Sequence, residues 1–552
     1  MLVGGNHSES QHRNQGALKR FFQVVVLTSL IVTGGLALCR FLGFFERLEI
    51  AAYDSFIGLK PSDPPDDRLL IVGIGENDIQ SRQEYPIKEG TVVELIEALE
   101  RYEPRAIALD FALDFPQGTP AEREELINLL ASSDRIISSC VMSTEQFPGV
   151  PPAPGSSVES VGIADLPEDK DGITRRGLIV STPTELPTEE LVRPHLCNQS
   201  DAELLSLSFL LALIYLEDEE IFADQNDVGH VMWDTTVVHG LFERSGGYAS
   251  TGAVDYQVML NYRAPSEAIQ HVSLTDMLQD QVDPELIRDR IILVGYTSPV
   301  VGDILTTPYT ETAVGLRGMF GVEVHAQATS QLISAVLDGR PLIWSFPEIG
   351  EIVLVGLWSL TGGLIAFYAR RPFIFLLSII SIFLGLWGFA YYLFIQGLWL
   401  PVMSMTVAAV LTAVVVNVIN QARQSVYAQA IFEQIKAQIT GEMVDKSGAE
   451  RDRLGDLVQR AQSLRQRQAF GGVLERGEID RADTDPLQME FDSPEVQTFY
   501  ERIKTQLQQK FDEEKITLET RVNQKETSSQ STKLKALLKK SQTARGVHSP
   551  PP

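Results

Sequence analysis

The sequence predicts an α/β outer domain, a mostly parallel sheet with helices on both faces, carried by four transmembrane helices and followed by a helical and partly disordered cytoplasmic tail. Three observations lead there. Short apolar runs alternate with longer amphipathic ones between residues 69 and 340. Four apolar stretches are long enough to cross a hydrocarbon core of about 30 Å. A net charge of −27 stands beside a mean hydropathy of +0.01, a combination that implies very apolar segments joined to a strongly acidic soluble part.

The first apolar stretch is Phe21–Phe45. It exceeds the apolar core of a signal peptide and no A-x-A site follows, so it reads as an uncleaved anchor. Leu38 precedes Cys39, where a lipoprotein cleavage box wants a small residue. The other spans are Ile349–Ala369, Phe373–Ile395 and Leu398–Ile419. Lys19 and Arg20 precede the first, Arg370 and Arg371 follow the second, and Arg423 follows the fourth. The positive-inside rule places residues 1–20 and 420–552 in the cytoplasm and residues 46–346 outside. That outer region holds 50 acidic and 19 basic residues, which accounts for the whole negative balance. Such a surface excludes nucleic acid as a partner. No span carries a charge at its centre, which argues against transport.

The outer elements follow in order. Leu69–Gly75 (LLIVGIG) is an apolar strand and Gly90–Tyr102 an amphipathic helix. Ala106–Phe111 is a second strand, Ala121–Ser132 a helix and Arg135–Met142 a third strand. Proline and glycine cluster from Phe147 to Ser156, a loop. Leu204–Leu216 is a strongly apolar helix, Tyr256–Arg263 and Arg290–Thr297 are strands, and FGVEVHAQATSQLI opens a late helix. Apolar strands that alternate with helices fit a parallel sheet covered on both sides.

In such sheets ligands bind beyond the carboxyl ends of the strands. That rule selects Glu76 after the first strand, Asp110 and Asp114 at the second, Arg263, then Tyr296, Thr297 and Asp303 after the late strand. The same residue types also serve as helix caps and turn formers. Glu76, Asp110 and Asp114 offer oxygen ligands for a divalent cation if they converge. GIGEND is not a dinucleotide fingerprint, because Asp78 stands where the third glycine belongs. There is no G-x-S-x-G, H-E-x-x-H or P-loop, so no catalytic residue, metal or cofactor is assigned and the chain is not expected to be an enzyme. Three cysteines give no disulfide framework and no zinc site, and a single Cys140–Cys197 bridge stays open.

Taken together, IVGIGENDI, PRAIALDF, DKDGITRR (Asp169–Arg176), YQVMLNYRAP, VSLTDML, RDRIILVGYTSP, TTPYT and GVEVHAQATSQLISAVLDGRP, followed by three spans, resemble the type-two CHASE sensor domain. That module occurs on bacterial cyclases, histidine kinases and Ser/Thr kinases. The likeness covers roughly residues 46–420, with GVEVHA and DRIILVG its most specific blocks. It implies an outer sensor in the bacterial inner membrane, passing a small-molecule or protein signal to the inside; a dimer is the expected unit on family analogy. The usual first strand of the family has aspartates where this chain has Gly73 and Gly75.

An output domain would follow the last span. Among residues 420–552 the only histidine is His548, and the HRD and DFG signatures of kinases are missing. Gln421–Ile439 reads as a helix continuing the fourth span, Ser493–Val522 as a capped helix, and residues 525–552 as disordered. The expectation is therefore a membrane sensor that signals to a separate cytoplasmic protein. The alternative is an envelope assembly protein whose outer domain binds another protein.

In the late helix, Glu323 and His325 lie about 200° apart and cannot share a ligand. His325 falls among Val322, Ala326, Thr329, Leu332, Ile333 and Val336, facing the sheet, with Asp303 or Asp110 as natural partners. Glu323, Gln327, Ser330, Gln331 and Ser334 form the face expected to be wet.

Overall fold

The structure, a computed structural model, describes residues 22–144, 147–184, 194–199, 202–241, 243–252, 255–264, 268–309, 318–369 and 371–443. Lys19, Arg20, Arg370 and the tail helix and disorder expected beyond Met443 lie outside the described residues.

Helix α1 (Leu27–Phe41) follows a π-helical turn, and α2 (Glu46–Leu59) leads away from it. Then come β1 (Leu69–Ile74), α3 (Glu76–Arg82), α4 (Glu89–Glu100), β2 (Ala106–Asp110), α5 (Pro120–Ser132), β3 (Ile136–Cys140) and β4 (Val161–Ile163). They are followed by β5 (Arg176–Ser181), α6 (Leu207–Asp218), β6 (Tyr256–Met259), β7 (Gln270–Ser273), α7 (Leu274–Leu278), β8 (Ile291–Tyr296) and α8 (Gly321–Leu337). Three long helices complete the described chain: α9 (Glu348–Tyr368), α10 (Pro372–Ile395) and α11 (Val402–Met443). Among the described residues, four helices are long and apolar enough to cross a membrane: Phe22–Phe41, α9, α10 and the part of α11 up to Ala422.

The main sheet has six parallel strands in the order β7-β1-β8-β2-β3-β4. Apart from the polar, partly exposed edge strand β7, its strands are buried on both faces. Leu70, Val72, Leu109 and Val294 pack under α4, α5 and α7, through Leu95, Leu99, Leu126 and Met277. Leu69, Ile71, Ala108 and Leu293 alternate to the other face and meet α6 and α8. Helix α6 is buried almost throughout, as its LSFLLALIYL sequence demands. Its start is fixed by Ser206, whose side chain accepts from the Phe209 N–H.

Two expectations change. Tyr256–Arg263 does not join the parallel sheet: β6 pairs antiparallel with β5 in a separate small sheet, and the strand ends at Met259. The polar face of α8 is not wet. Gln327, Ser330, Gln331 and Ser334 are all buried, because the chain after β6 lies along them. Gln331 accepts from Asn261 N–H at 2.7 Å and Gln327 from Arg263 N–H at 2.8 Å. These amides satisfy backbone groups that have left their sheet.

Cys140 and Cys197 form a disulfide, with Cα atoms 6.4 Å apart, which ties the end of β3 to the turn Leu196–Asn198. A disulfide accords with an outer, oxidising location for this domain.

Candidate functional site

The central slot of the sheet is filled last. Strand β8 inserts between β1 and β2, so residues far apart in sequence meet at the carboxyl edge. Gly73, Gly295 and Asp110 stand in one row across the three strands. Thr297 folds back over Gly73, and Val322 of α8 packs on Gly295. The two blocks DRIILVG and GVEVHA therefore dock through direct contact.

Beside Asp110 the edge opens into a cavity of about 290 Å³. Asp110, Ser139, Asp303 and His325 are its polar side chains, and Phe111, Val141, Leu166 and Leu305 belong to its apolar wall. His325 is 3 % exposed. Its Nε2 faces the Ala164 carbonyl at 3.2 Å, which can only accept, so that nitrogen carries hydrogen. Nδ1 stands 3.3 Å from Ser208 Oγ on α6. The hydrogen bonds go to these groups, while the expected Asp110 stands at the limit of ion-pair distance, its Oδ1 4.0 Å from Nε2. Burial holds the Asp110 carboxyl above the usual range, with His325 opposing and Asp303 adding to the rise. Burial raises Asp303 as well, with His325 opposing.

Of the eight residues selected from the sequence, the cavity thus gathers Asp110, Asp303 and His325. The others lie apart. Glu76 accepts from Ser298 Oγ at 2.7 Å on the rim beyond β1. Tyr296 points to the opposite face of the sheet, against Tyr85 and Phe111, and accepts from Ile87 N–H. Thr297 is spent on Gly73. Asp114 sits in the loop after β2, where its carbonyl accepts from Arg123 at 3.0 Å. Arg263 belongs to the amino-terminal edge. It is buried, donates to Ser330 and Ser334, lies 3.5 Å from Asp66, and cannot line this cavity. Glu76, Asp110 and Asp114 do not converge, and among the described residues no group of three His, Cys, Asp or Glu is placed to hold a metal ion. Glu323 and His325 diverge as their spacing requires: Glu323 caps α8 through Phe320 N–H and reaches His271 at 3.4 Å.

Asp165 was missed. It follows β4, accepts from Met142 N–H at 2.8 Å and is pushed up to about 6 by burial, with that hydrogen bond and His325 opposing. A strand of three residues is too short to announce its carboxyl end. A larger open depression of about 710 Å³ lies at the amino-terminal edge, beside Arg105 and Asp289. Arg105 is already paired there with Asp289 and Glu219, which leaves less unmet polarity than at the smaller cavity.

Residues 27–364 match the CHASE2 domain, from the start of α1 to within α9. The chain belongs to the CHASE2 domain family. Among curated proteins and among solved structures nothing matches it.

The CHASE2 domain is seated on the apolar helices by a second set of polar residues. The loop Ser245–Tyr248 reaches the outer ends of α1, α9 and α11. Arg40 of α1 donates to the Gly246 carbonyl at 2.9 Å and to Ser404 Oγ at 3.2 Å, and pairs with Glu351 of α9. Glu351 accepts from Gly246 N–H at 2.8 Å. Glu49 of α2 accepts from Met403 N–H, Ser404 N–H and Ser404 Oγ, capping the start of α11. Gly246 has φ +57° and lies flat on the Trp399 ring, where a methyl group would overlap. Behind this loop sits the DKDGITRR segment. Arg175 clamps Asp54 of α2 through two bonds of 2.7 Å and donates to Asp169 and Asp171. Tyr248 donates to Asp169 at 2.7 Å.

Proposed function

We propose that the chain is a receptor that reads an outer signal at the carboxyl-edge cavity and relays it through the spans to a separate cytoplasmic protein, without catalysis of its own. One observation carries this reading: a single apolar core runs from the domain into the bundle. Val324 and Ala328 of α8, Tyr53 and Phe56 of α2, Leu36 of α1, Val355 of α9, Phe394 of α10 and Met405 of α11 belong to one buried cluster, and the cavity-wall residues Leu166 and Leu305 pack against it. Close-packed cores shift between discrete arrangements rather than deforming smoothly, so a change at the cavity wall has a mechanical route to every span. A domain merely tethered for assembly needs no such core. Helix α11 continues past Ala422 to Met443, which gives the route an exit.

The test places a nitroxide at Ala428→Cys in a Cys39→Ala background, in nanodiscs. Gly246→Ala, which disturbs the seating on Trp399, is expected to change the label's mobility, whereas Glu323→Ala leaves it unchanged. An unaltered label in Gly246→Ala, beside a changed tryptophan fluorescence that reports the disturbed junction, would sink the relay.

A further inference from the structure

The carboxyl-edge cavity is apolar and negative at once, and its wall offers the carboxylates no permanent cation, His325 being the one basic side chain in its lining. Its lining holds two carboxylates and neither lysine nor arginine. Asp110 decides the matter. Its side chain is only 8 % exposed and borders the cavity, yet among the described residues it accepts no hydrogen bond. His325 Nε2 stands 4.0 Å off and is directed at Ala164 O instead. A buried carboxylate has room for about four donors and ordinarily finds several. Burial raises both Asp110 and Asp303, so a ligand that brings positive charge to their empty acceptors offsets that cost.

Size and wall chemistry narrow the choice. A volume of about 290 Å³ equals about ten waters' share of liquid, enough for a molecule of roughly five to ten heavy atoms. A hard divalent cation wants six or more oxygens, and the wall beyond the two carboxylates is largely aliphatic and aromatic. We infer that the cavity binds a small organic cation, an ammonium head on a short apolar body, with Asp110 as its principal anion and Asp303 as its second. The three ammonium donors would meet the empty acceptors of Asp110 and relieve its repulsion from Asp303, while the carbon chain lies against Val141, Leu166 and Leu305. This names the ligand class for the sensor reading above; the binding itself stands without the relay.

The full-length protein in nanodiscs is titrated at neutral pH with straight-chain amines from methylamine to hexylamine, and with the matching alcohols and carboxylates. Thermal unfolding and calorimetric heats are followed. Saturable stabilisation by an amine, with none by its alcohol or acid, is expected. Asp110→Asn should weaken that binding by roughly ten- to a hundredfold, the range of a charge-assisted hydrogen bond. Asp303→Asn supplies a second variant should the first fold poorly, with a smaller loss expected. Equal effects of amine and alcohol, a response to manganese chloride in place of amines, silence of the whole series, or full amine binding in both variants would overturn the proposal. An amine that binds and leaves the label at residue 428 unmoved refutes the relay and not the site.

Discussion

At the membrane junction the buried charges are matched; at the carboxyl edge of the sheet they are not. Arg175 is almost fully buried and meets three carboxylates, and Arg40 meets Glu351 while Glu49 caps a helix. Asp110, its side chain 8 % exposed, has no hydrogen bond among the described residues. The titration of the two regions differs in the same sense only in part. At the junction Arg175 lowers Asp171, while burial raises Glu49 against its hydrogen bonds to Ser404 and Met403, so only the Arg175 cluster there shows the contrast. Asp110, Asp165 and Asp303 are all raised. Matched charges hold elements together; an unmatched one is a place left for something else.

The largest break expected is at Arg175. Arg175→Met removes the guanidinium clamped to Asp54 and leaves Asp169 to Arg176 alone, and should cost about 3–5 kcal/mol in chemical denaturation. A cost below about 1 kcal/mol would mean that the junction is no more tightly matched than the cavity. Gly246→Ala comes next, at about 2–3 kcal/mol, because it adds a strained left-handed residue to an overlap with Trp399.

The contrast also predicts opposite pH dependences. Asp165 is raised from an ordinary 3.8 to about 6, so between those values the folded state holds a proton that the unfolded state has released. Its contribution is complete below about pH 4, falls as pH rises, and is gone above about pH 6, a change of at most about 3 kcal/mol. Asp110 and Asp303 act in the same direction. Asp171 acts in reverse, its stabilisation present above the ordinary carboxylate range and lost as pH falls through its lowered value. Asp165→Asn should flatten the acid side of the stability profile, and Asp171→Asn should remove stability mainly at neutral pH. Parallel profiles for the two variants would erase the distinction.

Much of this was legible in the sequence, and the reasons are particular. Apolar runs such as LLIVGI and IILVGY announce buried parallel strands because both faces must be apolar. Asp110 and Asp303 were reachable from the carboxyl-edge rule, and His325 from the apolar arc of its helix. What the sequence hid is pairing. Nothing local says that β8 enters between β1 and β2, or that β6 leaves the main sheet for β5. The wheel of α8 separates polar from apolar residues, but not buried from exposed ones. Its glutamines and serines look solvated until Asn261 and Arg263 are laid against them. Arg263 was misplaced for the same reason, since its charge belongs to Asp66 at the other end of the helix.

Smaller effects sharpen the comparison further. Glu323→Ala removes a helix cap and a contact to His271, and should cost about 0.5–1 kcal/mol without altering amine binding. Asp110→Asn is expected to be the gentlest change of all in the unliganded protein. Deleting one partner from a satisfied buried network destabilises, because the remaining partner is stranded. Among the described residues Asp110 accepts no hydrogen bond, so its loss strands no donor there, and the amide sheds a charge that burial disfavours. Stability should be unchanged or higher by up to about 1 kcal/mol at neutral pH, measured by thermal unfolding against the parent chain. A loss of about 2 kcal/mol or more would show that Asp110 is already matched, through His325, and would remove the difference between the two regions at its root.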